Sequence, residues 1–252
     1  MGKGKIYLGT SGWTYEHWKN VFYPDSIARK KWFEFYCTYF PTVELNASFY
    51  RIPTLKAAEG WYSRSPEHFR FAVKMSRLVT HERKLKNCER ELEWFFSVFE
   101  PLKKKIAVYL IQLPPTLKFD PERLLLFSKL LPKDNMFAVE FRNPAWYRDE
   151  TMALLKELHF AFCIHDMGGV QTERVITSHL IYIRFHGYDS QYGGDYSDQH
   201  LLQWATWIKQ KKEEGKQVHA YFNNDIGGFA IKNCLKLQEL CNDKNKGGIL
   251  PA

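Results

Sequence analysis

Residues 107–141 read AVYLIQLPPTLKFDPERLLLFSKLLPKDNMFAVEF, and this stretch decides the fold. It opens on a short aliphatic run, Ala107 to Gln112, and closes on another, Phe137 to Phe141. Between them Asp120 precedes Pro121, an N-cap followed by a residue whose missing N–H costs nothing at a helix start. Helical spacing then runs from Pro121 to Leu130. Strand, helix and strand in this order make a βα crossover, and strands joined that way lie parallel.

The same unit repeats outward in both directions. Further strands are expected at Ile6–Thr10, Thr42–Leu45, Phe69–Val73, Phe160–His165, Leu180–Phe185 and Gln217–Phe222. Helices are expected at Ile27–Tyr39, Leu55–Arg64, Cys88–Phe99, Arg148–Leu158, Asp198–Gly215 and Phe229–Asn242, with Ser197 as a second N-cap and Gly215 as a stop. Gly168 to Ser178 is too short for a full crossover and holds a glycine pair, so the sixth helix is one turn or absent. Eight units in 252 residues predict an α/β fold, a (β/α)8 TIM barrel, with long βα loops. No linker divides the chain, so residues 1–252 read as a single domain with a loosely ordered tail at 242–252. A doubly wound sheet is the rival, but Gly9-Thr-Ser-Gly-Trp13 lacks the G-x-G-x-x-G spacing of its first turn.

Composition narrows the class. At 45% hydrophobic and 25% charged the chain is neither disordered nor fibrous. Cys37, Cys88, Cys163, Cys234 and Cys241 are odd in number and never spaced C-x-x-C, which speaks for reduced thiols and a cytoplasmic protein. No apolar run reaches bilayer length and no export signal opens the chain, so no membrane partner is expected. Lys and Arg number 36 against 28 Asp and Glu, a net +8 that leans toward anionic partners.

In a barrel the chemistry sits at the carboxyl ends of the strands. Those ends carry Glu44 and Asn46, Lys74, Gln112, Glu140 and Arg142, His165 and Asp166, Arg184 and His186, and Asn223, Asn224 and Asp225. Each charge taken singly reads as part of a satisfied ionic layer, since an unpaired one would lose solvation. Taken together, acids alternating with bases predict a polar pocket.

These residues also carry a resemblance. Gly9-Thr-Ser-Gly-Trp13, Phe22-Tyr-Pro24, Tyr39-Phe-Pro-Thr-Val-Glu-Leu-Asn46, Ser48-Phe-Tyr-Arg-Ile-Pro53, Phe71-Ala-Val-Lys74, Gln112-Leu-Pro-Pro115, Val139-Glu-Phe-Arg-Asn-Pro144, Arg184-Phe-His-Gly187 and Tyr221-Phe-Asn-Asn-Asp225 resemble the YecE-like family, catalogued as a domain of unknown function. The resemblance implies a TIM barrel related in shape to the xylose isomerase and endonuclease IV group. It implies no established reaction.

Four chemical features follow from the residues. Arg184, His186, Gly193-Gly194 and the Asn223-Asn-Asp-Ile-Gly-Gly228 turn into the last helix suit phosphate, because loops after strands seven and eight often hold it. The bland rival is Asp225 as an N-cap, with the glycines serving the turn. Glu44 with Glu140 is the best pair for acid/base work, on a phosphoester or a glycosidic bond; the rival pairs Glu44 with Lys74 and Glu140 with Arg142 or Arg184. A divalent metal is a lesser alternative, since Glu44, Glu140, His165, Asp166, His186 and Asp225 offer ligand types without a ligand spacing, and no metal residue is assigned. Trp13, Tyr15, Trp18, Phe49, Tyr50, Trp146, Tyr147, Tyr188, Tyr192 and Tyr196 fall on βα loops and predict an aromatic rim for a flat ligand. Trp32, Phe35, Trp94, Phe95, Trp204 and Trp207 have core spacing.

His17, His68, His81, His159 and His179 read as surface or loop residues, His200 and His219 equally as surface or packed ones, and Lys103–Lys105 and Lys209–Lys212 as solvated faces. The resulting expectation is a hydrolase of a phosphate-bearing substrate, nucleotide or nucleic acid. Glu44 and Glu140 would be its acid/base pair and Lys74 and Arg142 its charge stabilisers, while Arg184, His186, Asn223, Asp225, Asn46, Gln112, Trp13 and Tyr50 would contact the ligand. A non-catalytic nucleic-acid binder and a carbohydrate-active enzyme are the alternatives; cofactor and oligomeric state are left unassigned.

Overall fold

Apolar runs and helical segments alternate along the chain as their spacing dictates. The computed structural model describes residues 4–167, 170–188 and 193–242. The strands are β1 (Ile6–Thr10), β2 (Thr42–Leu45), β3 (Arg70–Lys74), β4 (Ile106–Leu113), β5 (Phe137–Phe141), β6 (Ala161–Met167), β7 (Val170–Gln171), β8 (Leu180–Phe185) and β9 (Gln217–Phe222). The helices are α1 (Trp32–Tyr39), α2 (Ala47–Tyr50), α3 (Leu55–Arg64), α4 (Glu89–Phe99), α5 (Pro121–Ser128), α6 (Asp149–Glu157), α7 (Asp198–Glu213) and α8 (Phe229–Cys241). The sheet order is β1-β9-β8-β6-β5-β4-β3-β2, with β7 antiparallel to β6 off that path. A parallel bridge from Ser11 to Glu44 links the two ends of the order. Eight parallel strands alternating with helices in this order form the (β/α)8 fold. Strands β5 and β8 are buried along their whole length, as near-continuous apolar runs in a parallel sheet should be.

The chain divides into two compact units, Met1–Glu44 with Ile164–Arg174 and Tyr182–Ala252, and Leu45–Cys163 with Val175–Ile181. In the first, β1 and β9 pair from Ile6↔Val218 to Thr10↔Phe222. Gly9 is required there: a Cβ would lie 2.2 Å from the Thr42 carbonyl oxygen. Tyr36 in α1 clamps the same place, accepting from Thr10 N at 2.9 Å and donating to Thr42 O at 3.0 Å. In the second, β3, β4 and β5 pair parallel, with a register shift between Phe71 and Ala72 and with Gln112 opposite Glu140.

Both expected N-caps form: Asp120 accepts from Arg123 N at 3.0 Å and Ser197 from His200 N at 3.2 Å. Gly215 has φ 84°, a conformation a glycine takes at little cost. The sixth crossover contains no α-helix among the described residues. Threonine hydroxyls hold it instead, Thr172 accepting from His165 N at 2.9 Å in the first unit and Thr177 from Phe162 N at 2.7 Å in the second.

Four expectations are corrected. Helix α1 begins at Trp32 rather than Ile27, because Ala28 is extended, with ψ 141°, and only a 3-10 turn, Arg29–Lys31, follows it. Lys105 is buried, not solvated: its Nζ donates to Tyr62 O at 3.0 Å and to Ser65 O at 2.8 Å, so backbone carbonyls replace the water it lost. Trp94 is 51% exposed on the outer face of α4, while Phe95 takes the core position. Trp18, Trp146 and Tyr196 are buried and pack as ballast under their loops rather than forming a rim. Tyr192 and residues 243–252 of the expected tail lie outside the described residues. All five cysteines are buried and free of disulfides. No described helix is long and apolar enough to cross a membrane.

Candidate functional site

Alternate residues of a strand share a face, so Tyr182 and Arg184 point the same way from β8. Both reach Glu44, the fully buried carboxylate of β2. Arg184 Nη2 lies 2.7 Å from Glu44 Oε1, Ser11 Oγ donates to the same oxygen at 2.5 Å, and Tyr182 OH donates to Oε2 at 2.6 Å. Burial pushes the Glu44 carboxyl up, but the Arg184 charge and these hydrogen bonds overcome it and leave the group below its ordinary pKa. Glu44 is therefore a carboxylate at neutral pH. His186 stands next to this pair, Nε2 3.5 Å from Arg184 Nη1 and Nδ1 3.2 Å from Asn223 Nδ2.

Asp225 does not cap α8. Gly228 occupies the N-cap position, without a side-chain cap, and Asp225 instead meets His17. His17 Nε2 is 2.7 Å from the Asp225 carbonyl and 3.6 Å from its carboxylate, so this histidine has a partner beyond the surface role expected for it. Burial raises the Asp225 pKa. Farther along the same unit Asp166 Oδ2 lies 2.6 Å from His200 Nε2.

The second unit builds a separate cluster at the ends of β3, β4 and β5. Glu140 is fully buried; Arg142 Nη2 lies 2.6 Å from its Oε1, and Gln112 Nε2 donates to its Oε2 at 2.7 Å. Lys74, also buried, holds its ammonium 3.9 Å from the Phe49 ring centroid, and Ser48 Oγ donates to its carbonyl at 2.6 Å. The chain leaving β3 then makes a π-turn, Leu78–Glu82, an irregularity often found at functional sites. It carries His81, whose ring stands edge-on to Phe49 at 4.8 Å. Burial, then the charges of Lys74, Arg77 and Arg142, push the His81 pKa down to about 4, with Glu140 opposing. Three non-glycine residues just beyond, Lys84, Leu85 and Asn87, have φ of 51°, 68° and 47°.

A family model described as Protein of unknown function DUF72 matches residues 7–251. The chain belongs to the DUF72 family. The UPF0759 protein YunF of Bacillus subtilis is 29% identical over 275 residues, covering 96% of each chain. The UPF0759 protein YecE of Escherichia coli is 28% identical over 159 residues, covering 61% of this chain and 55% of YecE. A crystal structure of a DUF72 family protein from Thermotoga maritima superposes with TM-score 0.86 at 28% identity, covering 94% of this chain and 98% of that one. One from Enterococcus faecalis shares the fold, with TM-score 0.83 at 24% identity over 95% and 96% of the two chains.

In this DUF72 chain the residues expected at strand ends thus gather in two sets. Glu44, Arg184, His186 and Asn223 form one; Lys74, Gln112, Glu140 and Arg142 form the other. Glu44 pairs with Arg184, not with Lys74, whereas the Glu140–Arg142 pair is one the sequence allowed. Asn46 follows β2, its Oδ1 shut from solvent without a hydrogen bond. Tyr50 is 77% exposed, and the Trp13 ring packs 4.8 Å from Phe33. Sequence reasoning missed Ser11, Tyr182, Arg77 and His81. Period-2 spacing before Arg184 could have found Tyr182; His81 had only its closeness in sequence to Lys74. Among the described residues no group of three or more His, Cys, Asp or Glu is arranged to hold a metal ion.

Proposed function

We propose that this DUF72 protein is a hydrolase of a phosphate-bearing substrate, nucleotide or nucleic acid, whose anion is held by Lys74, Arg77 and Arg142 with Gln112 beside them. The reading is supported by Lys74, Arg77 and Arg142, whose positive charges all act at His81 beside the carboxylate of Glu140, so that an anion would be attracted there. Glu82, 3.7 Å from Arg77, offsets part of that charge and leaves the set positive. Arginine and lysine together offer a planar fork and a point charge, the combination that phosphate oxygens accept. Glu140 is the acid/base candidate of this set, oriented by Gln112 and Arg142. Glu44 is better read as the counter-ion that keeps Arg184 in place, since the Arg184 charge and three hydrogen bonds hold its carboxyl below the ordinary pKa and make it a weak proton acceptor.

Thermal unfolding with sulfate, phosphate, nucleotides and sugars tests the reading, because a ligand of the native state alone raises its melting point. Phosphate-bearing ligands should raise it, and Arg77→Gln, which removes a half-exposed cation at little folding cost, should weaken the effect. A shift produced by sugars but not by phosphate-bearing ligands would favour carbohydrate chemistry and sink the phosphate site.

A further inference from the structure

We propose that His81 is the proton carrier of this anion site: its imidazole is neutral while the site is empty and takes up a proton when a phosphate group binds. The inference rests on the anion site proposed above and adds to it a residue and a timing. The geometry begins with the tautomer. Thr80 Oγ1 donates its own proton to Ser76 O at 3.2 Å, so at 2.9 Å from His81 Nδ1 it is placed to accept from the ring. The neutral ring then carries its proton on Nδ1 and presents a lone pair at Nε2, which has no hydrogen bond among the described residues.

The groups around the ring come from α2, from β3 and the turn after it, and from the carboxyl end of β5. Phe49 of α2 meets the ring edge-on, and its face also carries the Lys74 ammonium of β3. Arg77 acts from the turn after β3, and Arg142 and Glu140 from β5. Burial first, and then three positive charges that Glu140 and Glu82 only partly offset, make a charged ring unfavourable and keep the imidazole neutral near pH 7. A bound dianion cancels much of that field and adds an attractive charge of its own, so the proton affinity of the same ring rises while its burial remains. The site thus arms itself only when occupied.

The consequence for hydrolysis is direct. The electron pair of the breaking P–O bond passes to the leaving oxygen, which takes the Nε2 proton of the imidazolium. The attacking water gives its oxygen and one hydrogen to phosphorus and its other proton to the Glu140 carboxylate, the base of the set, which returns it to solvent when the product leaves.

Sulfate is the probe, because it stays a dianion from pH 8 to 5 and exchanges no proton itself. The full chain, labelled in histidine, is titrated by NMR over that range in sodium chloride and in sodium sulfate of equal ionic strength. The His81 resonance is assigned by its loss in His81→Gln or, should that variant not fold, through its contact with Phe49. In chloride His81 should remain neutral down to pH 5; in sulfate its proton affinity should rise at least tenfold, one pKa unit. An unchanged His81 curve while other resonances report bound sulfate would overturn this role and leave the anion site standing. No sulfate-dependent change anywhere would overturn the site, and the role with it.

Discussion

Glu44 is ionised in a place that water does not reach, and three named donors make that tolerable: Ser11, Tyr182 and Arg184. Removing one partner of such a pair strands the other charge, at about 3–5 kcal/mol. Arg184→Met should therefore lower stability by that order at pH 7, measured by urea unfolding. The sign of the pH dependence follows from the direction of the shift. Glu44 is held below its ordinary value of 4.5, so its contribution is present above that pH and lost as pH falls through the folded value. The difference between the native chain and Arg184→Met should accordingly shrink in acid, where a protonated Glu44 no longer needs a cation. A constant difference down to pH 3 would mean that Arg184 acts through packing alone.

At the scale of elements, β1 depends on one absent atom. Gly9 runs against the Thr42 carbonyl, and a Cβ 2.2 Å from backbone oxygen cannot be relieved by a side-chain rotation. Gly9→Ala should destabilise by about 1–3 kcal/mol through overpacking, read as a lower urea midpoint; an unchanged midpoint would show that the strands can part freely. Most of this level was legible in the sequence. Five of the strands, among them Phe137–Phe141 and Leu180–Phe185, have the bounds their apolar runs suggested, because in a parallel sheet burial on both faces leaves no ambiguity of period. What failed was irregular structure. The π-turn at Leu78–Glu82 follows no hydrophobic period, so His81 read as a loop histidine; Lys105 read as solvent-facing because nothing local announces that the carbonyls of Tyr62 and Ser65 will reach it. The residues of the two polar clusters were legible as strand ends, but not their pairing: the sequence set Glu44 against Lys74, and only the folded strands bring it to Arg184.

For the whole molecule the question is whether its net charge of +8 acts as a diffuse field or through one local set of cations. The two differ in salt dependence. Each phosphate neutralised on a single strand contributes about −0.7 to the slope of log K against log salt, because condensed counterions are released one contact at a time. A short single-stranded oligonucleotide anchored through one phosphate by Lys74, Arg77 and Arg142 should therefore show a slope of about −0.7. A broad basic face that tracks the backbone would use many more lysines and arginines, and its slope would be about −5 or steeper. Binding measured by fluorescence anisotropy between 50 and 200 mM salt separates them. The shallow slope would fit a site that takes one phosphate group at the strand ends and leaves the rest of the ligand to ring and hydrogen-bond contacts. The steep one would make the positive surface as a whole the binding element, and the cluster around His81 only a part of it.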